Sequence, residues 1–327
     1  MKGLVIRGSW NIFTVKPDTP ESTGEEIPCR IKGKVLKGAK GYYNPLAPGD
    51  RVGFEVDPRH PQQGLILAME ERRNMFTRLN RLQKGTGPHR SAAVQVIAAN
   101  VDLLLCVTAP SSPPFRPRFL DRLLMQAEIA DIPPLIVCNK YDLSTDDPDV
   151  EERLYDFTRI GYPVVKVSAR TGAGMDALRE LIGNRFSVLL GQSGVGKSSL
   201  IKALVPEMSI RVGALNEKYD RGNHTTTIST MLEIPGTGGR TFITDTPGIR
   251  RFVPEGASPA DAILYMREFA PLSGKCTYGR SCSHRTEPGC KIMEAVAAGV
   301  IHEDRYESFL RIQDDLGSGP DKPYREN

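Results

Sequence analysis

The chain has 327 residues, room for about two or three domains. Charged residues make up 25%, as in ordinary soluble proteins, and the absence of any run of ~18 apolar residues argues against a membrane-spanning helix. The net charge of +4 is uneven: residues 1–90 hold 16 Lys/Arg against 9 Asp/Glu, residues 91–255 hold 18 against 19, and residues 256–327 hold 9 against 11. The start, MKGLVIRGSWNIF, lacks a long apolar stretch and a small-residue cleavage site, so no signal peptide and a cytoplasmic protein are expected.

Residues 1 to about 70 read as short strands joined by turns. WNIFTV (10–15) is rich in β-formers. In CRIKGKV (29–35), Cys29, Ile31 and Val35 alternate with Arg30, Lys32 and Lys34, which predicts one buried and one cationic face. RVGFEV (51–56) and GLILAM (64–69) complete the set. Short strands with a basic face suit a small OB-type barrel that meets a polyanion such as RNA; an SH3-like barrel competes. Glu71 to Arg90 reads as a basic linker.

From Ala92 the pattern changes to strands alternating with helices. VDLLLCVTA (101–109), PLIVCNKYDL (134–143) and YPVVKVSAR (162–170) are strand-like, with helices over 119–130 and roughly 148–160 between them. Such βα units predict a parallel sheet covered on both faces. Asn139, Lys140 and Asp142 form N-K-x-D at a strand end. The Asp142 carboxylate can accept bonds from guanine N1–H and the 2-amino group, an edge that adenine lacks. Asn139 can fix the base edge, and the Lys140 stem can pack along the base plane. Ser168, Ala169 and Arg170 supply S-A-R, whose backbone can contact guanine O6.

FSVLLGQSGVGKSSL (186–200) is a strand, a glycine-rich turn and a helix start. Gly191, Gln192, Ser193, Gly194, Val195, Gly196, Lys197 and Ser198 form G-x-x-x-x-G-K-S, followed by Ser199. Its glycines let backbone N–H groups curl round a phosphate at a helix N-terminus. Lys197 is expected to reach the β/γ-phosphates, and Ser198 to ligate Mg²⁺ with GTP. In KYDRGNHTTT (218–227), Thr226, with Thr225 second, is the candidate switch threonine that completes Mg²⁺ coordination. TFITDTPG (241–248) ends in D-x-x-G, placing Asp245 near the metal and the Gly248 N–H near the γ-phosphate.

These are the five elements of a GTPase, but N-K-x-D and S-A-R precede the phosphate loop. The domain therefore reads as circularly permuted, which is tolerated where original termini lie close together. Ile249 follows D-x-x-G, where many GTPases carry a water-orienting glutamine. Isoleucine cannot do that, so slow intrinsic hydrolysis is expected, with His224 as the candidate that positions water. Because every nucleotide motif lies beyond Gln95, removing residues 1–75 is expected to leave that hydrolysis nearly intact.

The remaining cysteines divide into two groups. Cys29, Cys106 and Cys138 read as buried free thiols. Cys276, Cys282, His284 and Cys290 form C-x5-C-x-H-x5-C, a closed tetrahedral zinc set whose metal would supply folding energy.

Together, the basic barrel, IAANVDLLL, FLDRLLMQAE, NKYDL, the phosphate loop, GNHTTT, DTPGIR and HRTEPGC resemble one family. It is the circularly permuted bacterial GTPases of small-ribosomal-subunit biogenesis, the ribosome small subunit-dependent GTPase A group. One departure is the five residues, TYGRS, between Cys276 and Cys282, where four are expected. The resemblance implies a multidomain α/β chain: an OB-type barrel over 1–75, a circularly permuted P-loop GTPase domain over 76–255 and a helical zinc-binding domain over 256–327. It implies a role in late maturation of the small (30S) subunit, with rRNA binding and stimulation of GTP hydrolysis by that subunit. It also points to His224 as catalytic. Arg30, Lys32 and Lys34 are the candidate RNA contacts, and a monomer without membrane association is expected. Two other classes compete: an ATP-using metabolic enzyme, which Asp142 opposes, and an RNA-binding protein with a structural nucleotide site, which Lys197, Ser198, Thr226 and Asp245 oppose.

Overall fold

The barrel comes first in the chain. β1 (Lys2–Ser9), β2 (Ile12–Pro17), β3 (Ile27–Ile31), β4 (Arg51–Asp57) and β5 (His60–Met69) close in the order β1-β2-β3-β5-β4-β1. Every neighbour is antiparallel except the parallel β3–β5 pair, which is the OB arrangement. A computed structural model of the chain describes residues 1–9, 11–18, 26–33, 36, 42, 44–80, 93–144, 147–205, 230–236, 240–245 and 252–318. Val5, Phe13, Val15, Cys29, Val52, Phe54 and Ile66 fill the barrel. The predicted alternation holds through β3, with Cys29 buried and Arg30 exposed, and Lys32 beyond it is exposed. Lys34 and Val35 lie outside the described residues.

The basic segment 71–90 is not simply a linker. Its described part contains β6 (Met75–Asn80), which pairs antiparallel with β7 (Ala93–Ala99) and buries Phe76. The basic residues disguised it: Arg72 forks onto Asp50 with Nε and Nη2 each at 2.8 Å, and Arg73 pairs with Asp102 at 2.6 Å. Between them the two arginines fasten the segment to the barrel on one side and to the nucleotide-binding domain on the other.

The nucleotide-binding domain alternates strands and helices: β8 (Leu103–Thr108), α1 (Pro117–Ile129), β9 (Pro134–Cys138), α2 (Pro148–Arg159), β10 (Val164–Lys166), α3 (Met175–Ile182), β11 (Phe186–Gly191), α4 (Lys197–Leu204), β12 (Thr230–Ile234) and β13 (Thr241–Asp245). The sheet order is β10-β9-β8-β11-β13-β12, parallel except for β12. β8, β9 and β11 are buried at every position, as strands covered on both faces must be. Leu104, Cys106, Ile136 and Val188 face Leu120, Leu124 and Leu154 of α1 and α2. Leu105, Val107, Val137 and Leu189 face Leu178, Leu200 and Leu204 of α3 and α4. Proline at N1 starts α1 and α2, and the Asp147 carboxylate caps α2 by accepting from the Asp149 N–H.

β1 belongs to two cores. Val5 points into the barrel, while Leu4 and Ile6 join the cluster of Phe76, Ile97, Met231, Phe242 and Phe252. Arg7 of β1 pairs with Thr230 of β12, so the two sheets are continuous. Gly49 sits where they meet, with φ +93°, and a Cβ there would lie 2.0 Å from the Ala99 carbonyl oxygen. Removing residues 1–75 would therefore strip Leu4 and Ile6 from the nucleotide domain's core, so, contrary to the motif positions alone, hydrolysis should not survive such a cut intact.

The C-terminal region packs Phe269, Ile292, Phe309 and Ile312 with α5 (Lys291–Ala297) and α6 (Glu303–Gly317) around the cysteine cluster. Met125 and Ile129 of α1 give it apolar contact with the nucleotide domain's helix layer. Among the described residues, no helix is long and apolar enough to cross a membrane.

Candidate nucleotide-binding site and metal centre

The motif-bearing loops leave the same edge of the sheet, the C-terminal ends of parallel strands, where nucleotide sites form in open α/β sheets. β9 delivers Asn139, Lys140 and Asp142. β10 leads into Ser168, Ala169 and Arg170. β11 delivers the phosphate loop, and β13 ends on Asp245, in register with Leu189 of β11.

Asn139 ties three of these segments together. Its Nδ2 donates to the Val195 carbonyl at 2.9 Å, and its Oδ1 accepts from the Ala169 N–H at 3.1 Å. It is almost fully buried. Gly196 has φ +91°, and a Cβ on it would come within 2.4 Å of that Nδ2. Glycine is thus required at 196 by the base-reading loop as well as by the phosphate turn. Lys140 adopts φ +58°, and its Nζ donates to the Ser112 carbonyl at 2.6 Å.

Asp142 is oriented before any base arrives. The buried Ser168 hydroxyl donates to its Oδ1 at 2.5 Å, and Arg170 forms an ion pair with Oδ2. The Ser168 hydroxyl, and beyond it the Arg170 guanidinium, hold the Asp142 carboxyl below its ordinary range. It is therefore an ionised acceptor, the form that can take two donors from guanine.

At the phosphate end, Lys197 Nζ donates to the carbonyls of Gly191 at 2.8 Å and Gln192 at 3.0 Å. Burial lowers its pKa, and the charge of Asp245 works against that fall. Ser193 and Gly194 are exposed at the loop tip, and Ser198 and Ser199 are exposed in the first turn of α4. A hydroxyl at 198 and a carboxylate at 245 are hard oxygen donors of the kind Mg²⁺ takes. The Pro-rich loop after β8 also belongs to the site, with Ser112 holding Lys140 and Pro113 beside Gly194. Nothing in its sequence signalled that place. His224, Thr225, Thr226, Gly248 and Ile249 lie outside the described residues.

The cysteine cluster forms as its spacing predicts. Ligand atoms of Cys276, Cys282, His284 and Cys290 lie within 4.8 Å of one another, and all four residues are buried. His284 Nδ1 is 3.6 Å from Cys276 Sγ and 3.5 Å from Cys290 Sγ, and those sulfurs are 3.9 Å apart. Tetrahedral zinc with ordinary bond lengths calls for about 3.6 Å between sulfur and nitrogen and about 3.8 Å between sulfurs. The cluster fits zinc through Nδ1. Burial holds His284 below its usual value, in the neutral form that ligates. Glu287, which sequence reading passed over, shapes the loop. Its carboxylate accepts backbone N–H bonds from Ser283 at 2.8 Å and from Arg285 and Thr286 at 3.1 Å. His284 adopts φ +62° between those donors, and the Lys291 N–H donates to Cys276 Sγ at 3.3 Å. By contrast, burial raises Cys29 to about 11, Cys138 to about 12 and Cys106 further, which leaves three inert thiols.

On the barrel, Arg30 is exposed, whereas Lys32 is paired with Glu55 at 2.7 Å. The cationic face is thus partly neutralised.

Strand order and site define a class: a P-loop guanine-nucleotide-binding domain whose base-reading strands come before its phosphate-binding strand, a circularly permuted GTPase. The RsgA GTPase family model matches residues 69–254, and the chain belongs to that family. A small ribosomal subunit biogenesis GTPase RsgA from Bacteroides fragilis is 37% identical over 324 residues, covering 98% of each chain. One from Chlorobaculum parvum is 38% identical over 318 residues, covering 97% of this chain and 98% of the relative. Among solved structures, YjeQ from Thermotoga maritima is similar at TM-score 0.71 and 30% identity, covering 96% of this chain and 98% of that one. YloQ, a circularly permuted GTPase, is similar at TM-score 0.68 and 26% identity, covering 99% and 96%.

Proposed function

We infer that the chain hydrolyses GTP in the maturation of the small ribosomal subunit, binding that subunit's rRNA and being stimulated by it. The observation that carries the nucleotide assignment is Asn139, which bonds the phosphate loop on one side and the S-A-R loop on the other. It spans the distance between base and phosphates with an internal ruler. Relatives that align along nearly the whole chain carry the ribosomal assignment in their names.

In this reading Asp142 selects guanine, Asn139 and Ser168 hold the reading loop, and the Ala169 and Arg170 backbone approaches O6. The loop from Gly191 to Ser199 cradles the phosphates. Bound Mg²⁺ would supply charge neutralisation at the β- and γ-phosphates, with Ser198, Thr226 and Asp245 as the residues that hold it. Lys197 would turn from the Gly191 and Gln192 carbonyls to the phosphates. Thr225, Thr226 and Gly248 are assigned to sensing γ-phosphate, and His224 to orienting the attacking water. Zinc at Cys276, Cys282, His284 and Cys290 is structural, one per chain. Units 1–75, 76–255 and 256–327 carry RNA binding, catalysis and zinc respectively, in a cytoplasmic monomer. Arg30, Lys32 and Lys34 are the proposed rRNA contacts.

The test is GTP turnover with and without purified small subunits, for the parent, for Asp142→Asn and for His224→Ala. Stimulation should be large for the parent. Asp142→Asn should prefer xanthosine triphosphate, whose carbonyl an amide can pair with. His224→Ala should bind GTP yet remain slow when stimulated. A parent that ignores the subunit, or that uses ATP equally, would overturn this function.

A further inference from the structure

Three cations of the site rest on protein acceptors. Lys197 lies on carbonyls of its own loop and Lys140 on the Ser112 carbonyl. Only Arg170 rests on an atom that must itself read the ligand. We propose that Arg170 occupies the base-reading face of Asp142, where guanine's edge must go, and thereby acts as an internal competitor that lowers the site's affinity for guanine nucleotides. The proposal rests on the guanine function argued above and concerns how that function is tuned.

The geometry distinguishes the two partners of the carboxylate. Ser168 is buried and donates to Oδ1 from within the fold. Arg170 reaches Oδ2 from outside, with its side chain 72% exposed against 13% for Asp142. A fixed acceptor thus carries one fixed donor and one that can leave. Guanine N1–H and its 2-amino group require the outward lone pairs of the same carboxylate. A guanidinium is the best mimic of that edge among side chains, a planar fork of N–H donors with a full charge. Arg170 holds Oδ2, one of the two oxygens that guanine's pair of donors needs, so the base enters in full only as Arg170 swings away. Ser168 need not move, because each carboxylate oxygen has a second lone pair. Discrimination between bases stays with Asp142; Arg170 sets the level from which all purine nucleotides start. Binding competence is then reduced by the fraction of molecules with the pair closed.

The size follows from exposure. Solvent-exposed ion pairs are weak, so closing the pair should cost about two- to fivefold in affinity, most of it at low salt. The experiment measures binding of N-methylanthraniloyl-GDP to the full chain by stopped flow, for the parent and for Arg170→Met, which keeps the stem and removes the charge. The expected result is association about two- to fivefold faster in Arg170→Met at low salt, with dissociation little changed. The gap should close as salt rises. In an Asp142→Asn background, Arg170→Met should bring no gain, because the partner carboxylate is gone. Equal association in the two proteins at low salt would overturn the proposal. So would weaker binding by Arg170→Met, which would mean that the side chain grips the bound base instead. Competition by GDP and ADP against the labelled nucleotide separates the two levels. A parent without preference for GDP refutes the guanine site itself, while a preference without a gain in Arg170→Met refutes only the competitor.

Discussion

The barrel and the C-terminal unit both flank the nucleotide-binding domain, and they are fastened to it by different chemistry. The barrel joins chiefly through Leu4 and Ile6, apolar side chains of a strand that also continues the sheet at β12, with the buried Arg72–Asp50 pair tying it to the segment before β6. The C-terminal unit joins mainly through arginines, beside the apolar contact that Met125 and Ile129 of α1 make with it. Arg305, 1% exposed, donates from Nη1 to Asp121 of α1 at 2.7 Å and from Nε to Glu268 of its own unit at 2.6 Å. Arg122 of α1 pairs with Asp315 at 2.6 Å, Arg153 of α2 approaches Asp304 at 3.7 Å, and Arg159 donates to the Val300 carbonyl at 2.8 Å. Apolar contact is tolerant of geometry and is lost in proportion to the atoms removed. Buried charge demands its partners, and its loss on one side leaves the other side stranded. The barrel is thus continuous with the nucleotide domain, whereas the C-terminal unit is keyed to it.

The largest effect should come from breaking that key. Arg305→Met leaves Asp121 and Glu268 buried without their shared cation, which should cost about 3–5 kcal/mol in thermal or denaturant unfolding. Replacing all three, as Arg305→Met with Asp121→Leu and Glu268→Met, should recover most of the loss, since buried networks exchanged whole for apolar groups are often neutral. A small loss in the single variant would show that the seam does not depend on charge.

At the barrel seam, Leu4→Ala or Ile6→Ala should cost about 2–5 kcal/mol. The sharper readout is where the damage lands. Hydrogen exchange should rise in both β1 and β12 for these two variants. For Val5→Ala, whose side chain faces the barrel alone, it should rise in the barrel and spare β12. Equal patterns for all three would dissolve the distinction between the faces of β1.

These seams also mark what the sequence could and could not disclose. The phosphate loop, N-K-x-D and the zinc spacing were legible because each is local: its residues serve one turn or one strand end. The permutation was legible because motif order survives in sequence. β1 was missed because Leu4, Val5 and Ile6 form an unbroken apolar triplet; serving two cores erases the period of two that announces a strand. β6 was hidden by Arg72 and Arg73, which read as linker charge until Asp50 and Asp102, 22 and 29 residues away, are brought beside them. The burial of Arg305 leaves no local signal for the same reason, since Asp121 lies 184 residues earlier. Glu287 was passed over because its role is towards backbone N–H groups, which every residue has. Partnership across such distances leaves no local trace.

A smaller effect tests what holds the keyed unit together internally. Glu287→Ala removes the acceptor for three N–H groups around His284, so zinc affinity should fall about ten- to hundredfold, as for other groups that orient metal ligands. Competition with a chromogenic chelator measures it, and GDP affinity should stay within about twofold of the parent. Because accepting those bonds holds the Glu287 carboxyl well below its ordinary range, the cap is present above the free carboxyl's pKa and persists through mild acid. Zinc release from the parent on acidification should therefore follow protonation of the Cys and His ligands rather than loss of this cap. Unchanged zinc affinity in Glu287→Ala would leave the carboxylate as a bystander of the loop.

The smallest effect asks whether charge can matter at the apolar seam too. Lys16 of β2 pairs with Glu233 of β12 across the barrel junction, and Arg240 approaches Asp18 at 3.4 Å. Glu233 is 40% exposed and Arg240 46% exposed, so water screens both pairs, unlike the Arg305 network. Lys16 also lies 6.0 Å from the centre of the Phe242 ring, so its stem is packed and Lys16→Ala alone would mix lost packing with lost charge. A double-mutant cycle of Lys16→Met and Glu233→Gln removes that ambiguity, because Met retains the stem. The coupling energy should be about 0.2–1 kcal/mol at low salt and should shrink towards zero by about 1 M salt, where the screening length is about 3 Å. The corresponding cycle between Arg305 and Asp121 should keep most of its coupling at that salt, since no ions enter a buried seam. If the Lys16–Glu233 coupling proves large and resistant to salt, the β1–β12 junction is keyed by charge as the Arg72–Asp50 contact is, and the contrast between the two attachments fails.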